Sequence, residues 1–164
     1  MTTTKFGPKS AIEIPTIYFS KLHPAAKMPV RMTEGSAGLD VSALLLSETG
    51  RPNKLAIPPY NCRLVPTGLL VEPPPGYFLF VCARSSMAAK SILLANSPGL
   101  IDPDYRGELK VLLHNASWET QWIEHEQRIA QIVTLPVVFP KTTWVSQLSE
   151  SPSRGTKGFG STGK

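Results

Sequence analysis

The spread of proline along the chain constrains the fold more than any other feature of the sequence. Sixteen of the 164 residues are proline, about twice the usual share of roughly 5%, and they occur through most of the chain. Because proline lacks a backbone N–H and blocks the interior of a helix, long helices have few places to form. The sequence therefore excludes helical bundles, coiled coils and helical solenoids.

Short apolar and β-rich runs, bounded by Pro, Gly or Asn, supply the alternative to helices. The clearest runs are residues 16–19, 62–71, 77–82, 109–115 and 129–139. Strands this short between turn residues are typical of an all-β sandwich or barrel. One further stretch, residues 85–94, lacks Pro and Gly and opens on serines, which predicts a helix of only a few turns.

Length and composition indicate one folded domain, since 164 residues with 41% hydrophobic content suffice for a core. The sequence has no apolar run of the ~20 residues that a membrane span needs, and its polar start lacks a signal-peptide core. Cys62 and Cys82 form neither a CxxC pair nor a zinc spacing, so we expect two buried, reduced thiols within strands. These features predict an intracellular protein, in the cytoplasm or nucleus, with no membrane partner.

The position of the charge argues against a general nucleic-acid binder. A net charge of +5 would suit a polyanionic partner. However, residues 1–31 carry +4 and residues 151–164 carry +3, whereas residues 32–150 carry −2. The body of the protein is thus slightly acidic and has no broad basic face. We therefore expect no direct nucleic-acid binding.

Three central segments combine charged side chains with turn chemistry. Residues 37–43 place Asp40 between small residues at a strand start, as a turn carboxylate or as one that holds a divalent cation through water. In residues 83–88 a strand runs into the possible helix, where Arg84 either binds phosphate or lies at an ordinary serine cap. Residues 99–109 are predicted to form a hairpin whose turn is richer in acids and aromatics than a turn requires. A carboxylate in that turn can accept a proton from water.

Two further segments complete the set. In residues 127–133, Arg128 and Gln131 fall on opposite faces of an ideal strand, so a β-bulge or separate partners are needed for both to reach one site. Residues 154–163 hold four glycines together with phosphate donors and a phenylalanine, without the spacing of a GxxxxGK[ST] loop. Alone, this tract equally suits a disordered tail. Together, the five segments supply what a nucleoside-triphosphate site requires.

In order and spacing, these segments resemble the five motifs of the trimeric dUTP pyrophosphatases (dUTPases), from about residue 31 to residue 163. The third motif (GLIDPDYRG) and the fifth (RGxxGFGSTG) are the most specific. The resemblance implies a β jelly roll, as a barrel or sandwich with one short helix, in a homotrimer with shared active sites. It divides the chain into a flexible basic arm (1–13), a dUTPase-like β domain (14–140) and a C-terminal arm with a phosphate-clamping motif (141–164).

The activity that the resemblance implies is hydrolysis of dUTP to dUMP and pyrophosphate with Mg²⁺, which limits uracil in DNA and supplies dUMP for dTMP synthesis. Asp102 would activate the water that attacks the α-phosphorus, Tyr105 would pack beneath the deoxyribose and exclude a 2′-hydroxyl, and Asp40 would hold Mg²⁺ through water. The remaining predicted substrate contacts, on the uracil edge and the phosphates, are Asn96, Gly99, Ile101, Arg84, Ser85, Ser86, Arg128, Gln131, Arg154, Phe159, Gly160, Ser161 and Thr162.

Three positions depart from the family pattern. Ser86 stands where the second motif usually has glycine. Glu126 and Gln127 stand where the fourth motif usually opens with Gly-Asp or Gly-Glu, and the loss of that glycine suggests an altered backbone there. Three other functions stay open: a dCTP deaminase of the same fold, an interaction module without catalysis, and a nucleic-acid binder. A cellular source and a viral one, acting in the host cell, are both compatible with the sequence.

Overall fold

The computed structural model describes residues 14–149, and its regular structure is almost entirely β. The strands are β1 (Tyr18–Lys21), β2 (Leu39–Ser42), β3 (Lys54–Ile57), β4 (Cys62–Glu72), β5 (Tyr77–Ala83), β6 (Ile92–Leu94), β7 (Gly99–Ile101), β8 (Glu108–Asn115), β9 (Gln121–Glu124) and β10 (Arg128–Pro136). The single helix of this region, α1, covers Ser85–Ala88. Within the described part of the chain, no helix is long and apolar enough to span a membrane.

The strands form two four-stranded sheets, β1-β4-β8-β6 and β2-β10-β5-β7, and a two-stranded sheet of β3 and β9. All pairings between them are antiparallel. The core contains buried side chains from both large sheets, such as Leu109 and Val111 on β8 and Leu79 and Val81 on β5. The predicted all-β architecture with one short helix is confirmed.

Alternation along β8 shows how the sequence places its core. Leu109, Val111 and Leu113 are each 1% exposed, whereas Lys110, between the first two, is exposed. Because successive side chains of a strand point to opposite faces, this pattern buries one face only. Full burial of each such side chain stabilises the fold by about 1.5–3 kcal/mol.

The predicted helix is shorter than expected. It ends at Ala88, and Ile92 and Leu94 belong to β6, which pairs with β8. Between the two elements, Ser91 adopts a positive φ of 57°, which a continuing helix does not allow. Burial of Ile92 and Leu94 in the core and pairing with β8 outweigh the helix propensity of this stretch.

Two further expectations need correction. Residues 99–109 do not form a paired hairpin, because β7 pairs with β5 in one sheet while β8 pairs with β4 and β6 in the other. The turn between them therefore crosses from sheet to sheet. Both cysteines are free and lie in strands, but Cys62 is exposed and Cys82 only partly buried. Burial nevertheless raises the pKa of the Cys82 thiol.

Candidate active site

A cavity of about 200 Å³ opens beside the turn that follows β7. It is lined by the predicted site residues Asn96, Gly99, Ile101, Asp102 and Tyr105. The sequence analysis missed its apolar lining, which comes from core strands and includes Val81, Leu94, Leu109 and Val111. Their alternation in β5, β6 and β8 marks them as core, but nothing in their pattern indicates that they also face a cavity.

Gly99 keeps the cavity open next to Asn96. A Cβ at position 99 would lie 3.1 Å from the Cβ of Val81 and 3.4 Å from Nδ2 of Asn96. A larger residue would therefore fill the space beside the Asn96 amide. Because β7 is the last strand of its sheet, the main-chain donors and acceptors on its outer edge are not paired with another strand of that sheet. A flat polar ring can form hydrogen bonds with them.

Asp102 lies in the exposed turn at the mouth of this cavity. Its main-chain carbonyl oxygen accepts the Tyr105 N–H at 3.1 Å, which closes the turn. Within residues 14–149 its carboxylate has no hydrogen bond and no ion pair. A carboxylate in this position is available to take a proton from a water at the cavity mouth.

The Tyr105 ring is fixed by its neighbours. Its hydroxyl donates to the Glu108 carbonyl oxygen at 2.8 Å, and Gly107 lies so close that a Cβ there would come within 2.6 Å of the ring carbon Cζ. Arg106 braces the same turn, since its Nη1 donates to the carbonyl oxygens of Pro103 at 2.8 Å and Tyr105 at 2.7 Å. The ring thus forms a rigid wall of the cavity.

A second cluster surrounds the carboxylate of Asp40, which is 2% exposed. Oδ2 accepts from Arg128 Nη1 at 3.0 Å and lies 3.2 Å from Arg84 Nη2, while Oδ1 accepts from Gln131 Nε2 at 2.8 Å. The register of β10 against β2 shifts between Arg128 and Ala130. Of the two alternatives left open by the sequence, a β-bulge or separate partners, this register shift fits the first, since Arg128 and Gln131 both contact Asp40.

The charge of this cluster suits an anion better than a cation. Two guanidinium groups face one carboxylate, which leaves a net positive charge of about one unit at neutral pH. Three donors already occupy Asp40, and no group of three or more His, Cys, Asp or Glu able to hold a metal occurs in residues 14–149. In this arrangement the Asp40 carboxylate does not fit a direct magnesium ligand, and the contact through water stays a prediction.

The helix α1 presents Ser85 and Ser86 to solvent next to the cluster. Arg84 occupies the N-cap position without a side-chain capping bond, so the ordinary serine cap considered from the sequence is not formed. Instead, the Oγ of Ser86 accepts from Nη1 of Arg84 at 3.2 Å. The backbone of Ser86 is helical, and glycine is not required there.

Glu126 adopts a φ of +62°, the left-handed region that favours glycine. Its N–H donates to the Ala43 carbonyl oxygen at 2.8 Å, and its carboxylate pairs with Lys27 at 3.2 Å. Glu126 therefore adopts a conformation that glycine favours, at the position where the family pattern has glycine. The altered backbone expected from the missing glycine stays a prediction.

The side chains of the Asp40 cluster do not line this cavity. The predicted uracil and sugar contacts therefore line the cavity, whereas the predicted phosphate contacts among the described residues do not. The remaining predicted contacts lie outside the described residues: Arg154, Phe159, Gly160, Ser161 and Thr162.

Fold and site together define an all-β protein of two packed sheets with a cavity beside β7 and a cationic cluster around Asp40. Residues 25–163 match the dUTPase family model, and the chain belongs to the dUTPase family. The deoxyuridine 5′-triphosphate nucleotidohydrolase of Leptospira interrogans is 40% identical, with 90% of this chain and 98% of that protein covered. The enzyme of the same name from Brucella melitensis is 42% identical, with 91% and 94% covered.

Solved structures show the same fold. A variant of the dUTPase of Staphylococcus bacteriophage 80alpha, solved with dUpNHpp, superposes with a TM-score of 0.78. The two sequences are 24% identical, and the match covers 91% of this chain and 99% of the phage protein. At this identity the likeness concerns the fold alone.

Proposed function

We propose that this chain hydrolyses dUTP to dUMP and pyrophosphate, with Asp102 as the base that activates the attacking water. Membership of the dUTPase family supports the reaction. The observation that carries the assignment of the base is the unengaged Asp102 carboxylate at the mouth of the cavity. Phosphoryl transfer needs mainly positioning and charge neutralisation, and one oriented water suffices as the nucleophile.

The cavity is proposed to hold the deoxyuridine part of the substrate. Asn96 and the outer edge of β7 offer donors and acceptors to the uracil edge, and the apolar lining covers the ring. Tyr105 packs against the sugar, where its fixed ring leaves little room for a 2′-hydroxyl. This arrangement selects both the base and the sugar by shape and hydrogen bonding.

The cationic cluster is proposed to meet the phosphates, assisted by Ser85. Since the cluster residues do not line the cavity of their own chain, we propose that each active site combines the cavity of one copy with the cluster of another. A homotrimer with shared sites, as the family resemblance implies, satisfies this requirement through a heterologous interface that closes into a ring. The C-terminal motif is proposed to complete the phosphate contacts.

Magnesium enters this proposal with the substrate, as the magnesium complex of dUTP. Mg²⁺ commonly binds substrate phosphates and keeps several waters, which requires no protein ligand of its own. The water-mediated contact predicted for Asp40 stays a prediction. It requires the Asp40 carboxylate to accept a hydrogen bond from a magnesium-bound water in addition to those from its present partners. By removing dUTP and supplying dUMP, the reaction would limit uracil in DNA and support dTMP synthesis.

The test of the proposed function is pyrophosphate release from dUTP, dCTP, dTTP and UTP, each with and without Mg²⁺. We expect turnover of dUTP, with kcat/KM on the order of 100-fold above that for UTP because Tyr105 excludes the 2′-hydroxyl. Equal kcat/KM for the two would contradict the role of Tyr105. Ammonia release from dCTP would identify a deaminase, and binding without turnover would indicate an interaction module.

Gly107→Ala tests whether the position of Tyr105 matters. The new Cβ would displace the ring and break its 2.8 Å hydrogen bond to Glu108, so we expect kcat/KM for dUTP to fall by about tenfold or more. Preference over UTP should weaken as well. The matched control is Gly35→Ala, since nothing lies within 4 Å of a Cβ at that position. If both variants retain wild-type kcat/KM, the ring is not a fixed wall of the site.

A further inference from the structure

Ser86 replaces the glycine of the family pattern, and its hydroxyl contacts a predicted phosphate residue. Its Oγ accepts from Nη1 of Arg84 at 3.2 Å. The side chain is exposed and the backbone is helical, so serine fits here without strain. A glycine at this position could not make this contact, so the bond depends on the Ser86 side chain.

The orientation of the Arg84 guanidinium rests on few anchors. Its Nη1 also donates to the Arg128 carbonyl oxygen at 3.0 Å, and its Nη2 lies 3.2 Å from Oδ2 of Asp40. Its Nε is buried without a hydrogen-bond partner among the described residues. The guanidinium is therefore held by its contacts with Ser86, Arg128 and Asp40. Ser86 supplies the bond nearest to solvent.

We propose that Ser86 is a positioning residue for the reaction, because it holds the Arg84 guanidinium against Asp40. In this way Ser86 orients the guanidinium of Arg84 toward the bound triphosphate. A guanidinium already fixed in one orientation loses less side-chain entropy when it binds an anion. The hydroxyl therefore acts on the affinity for the phosphates, not on the chemical step. This inference rests on the proposed dUTPase activity.

The test begins with Ser86→Ala, which removes the hydroxyl and leaves the helix intact. The loss of one hydrogen bond is expected to lower kcat/KM for dUTP by about three- to tenfold, through a higher KM with kcat close to that of the wild type. Affinity for a non-hydrolysable imido analogue of dUTP should fall by the same factor. Affinity for deoxyuridine, which has no phosphate, should not change.

Two further variants separate this role from a structural one. Ser86→Thr keeps a hydroxyl and should restore most of the affinity. Ala88→Gly loosens the same four-residue helix without touching the hydroxyl, and it should leave KM unchanged. If Ala88→Gly raises KM as much as Ser86→Ala does, Ser86 acts only through the helix and the proposal is wrong.

A double-mutant cycle identifies the partner. In an Arg84→Lys background the planar guanidinium is gone, so Ser86→Ala should cause no further loss. Additive losses would overturn the proposal. If the wild type does not hydrolyse dUTP, the proposed function fails, but binding of the imido analogue still reports on the bond between Ser86 and Arg84. The two failures are therefore distinguishable.

Discussion

Replacement of Asp102 by asparagine is expected to abolish nearly all turnover while leaving nucleotide binding intact. Asparagine keeps the size and the turn geometry of the residue, but its amide cannot take a proton from water. General-base catalysis typically contributes about 10²- to 10⁴-fold, and kcat for dUTP should fall by about that factor. Binding of a non-hydrolysable imido analogue, measured by calorimetry, should change little because the cavity lining is preserved.

The chain offers a matched control for this variant in the same turn. Asp104 is also exposed, but it does not line the cavity. Asp104→Asn removes the same charge two residues away and should retain most of the wild-type kcat. Near-normal turnover by Asp102→Asn would refute the assignment of the base. If kcat falls equally in both variants, the effect comes from the negative charge of the turn and not from proton transfer to Asp102.

The sequence predicted the motif-bearing loops well because their chemistry is local. The turn residues around Asp102 are readable from spacing alone. Spacing also shows that Arg128 and Gln131 need either a β-bulge or separate partners, and the structure has a register shift between Arg128 and Ala130. The resemblance to the family then supplied roles that spacing cannot give. Gly99, Ile101, Asp102 and Tyr105, predicted from the third segment, share one cavity in the structure with the nearby Asn96.

Features that depend on distant parts of the chain were missed or predicted wrongly. The helix was extended past Ala88 because local propensity does not reveal that β6 pairs with β8. The hairpin was wrong because adjacent strands that join different sheets have the same turn residues as a true hairpin. Asp40 was considered as a turn or metal carboxylate because its partners, Arg84 and Arg128, come from 44 and 88 residues away along the chain.

Replacement of Asp40 by asparagine should show which of these roles the carboxylate has. Loss of a buried counter-charge leaves the guanidinium groups of Arg84 and Arg128 without compensation, which typically costs 3–5 kcal/mol. Because the Arg128 side chain is 39% exposed and can turn toward water, we expect the lower value. The free energy of unfolding in urea, at fixed protein concentration, should therefore fall by about 3 kcal/mol.

The effect of Mg²⁺ on this loss of stability shows whether the Asp40 carboxylate neutralises the two arginines or holds a metal ion. If Asp40 neutralises the two arginines, Asp40→Asn loses the same stability in EDTA as in Mg²⁺, since no cation takes part. A loss seen only with Mg²⁺ would instead show that the carboxylate holds the ion. The control Glu124→Gln removes one carboxylate from an exposed pair with Lys54 and should leave the unfolding midpoint unchanged. Because that control alters net charge by the same amount, any difference between the two variants reflects burial of the Asp40 cluster.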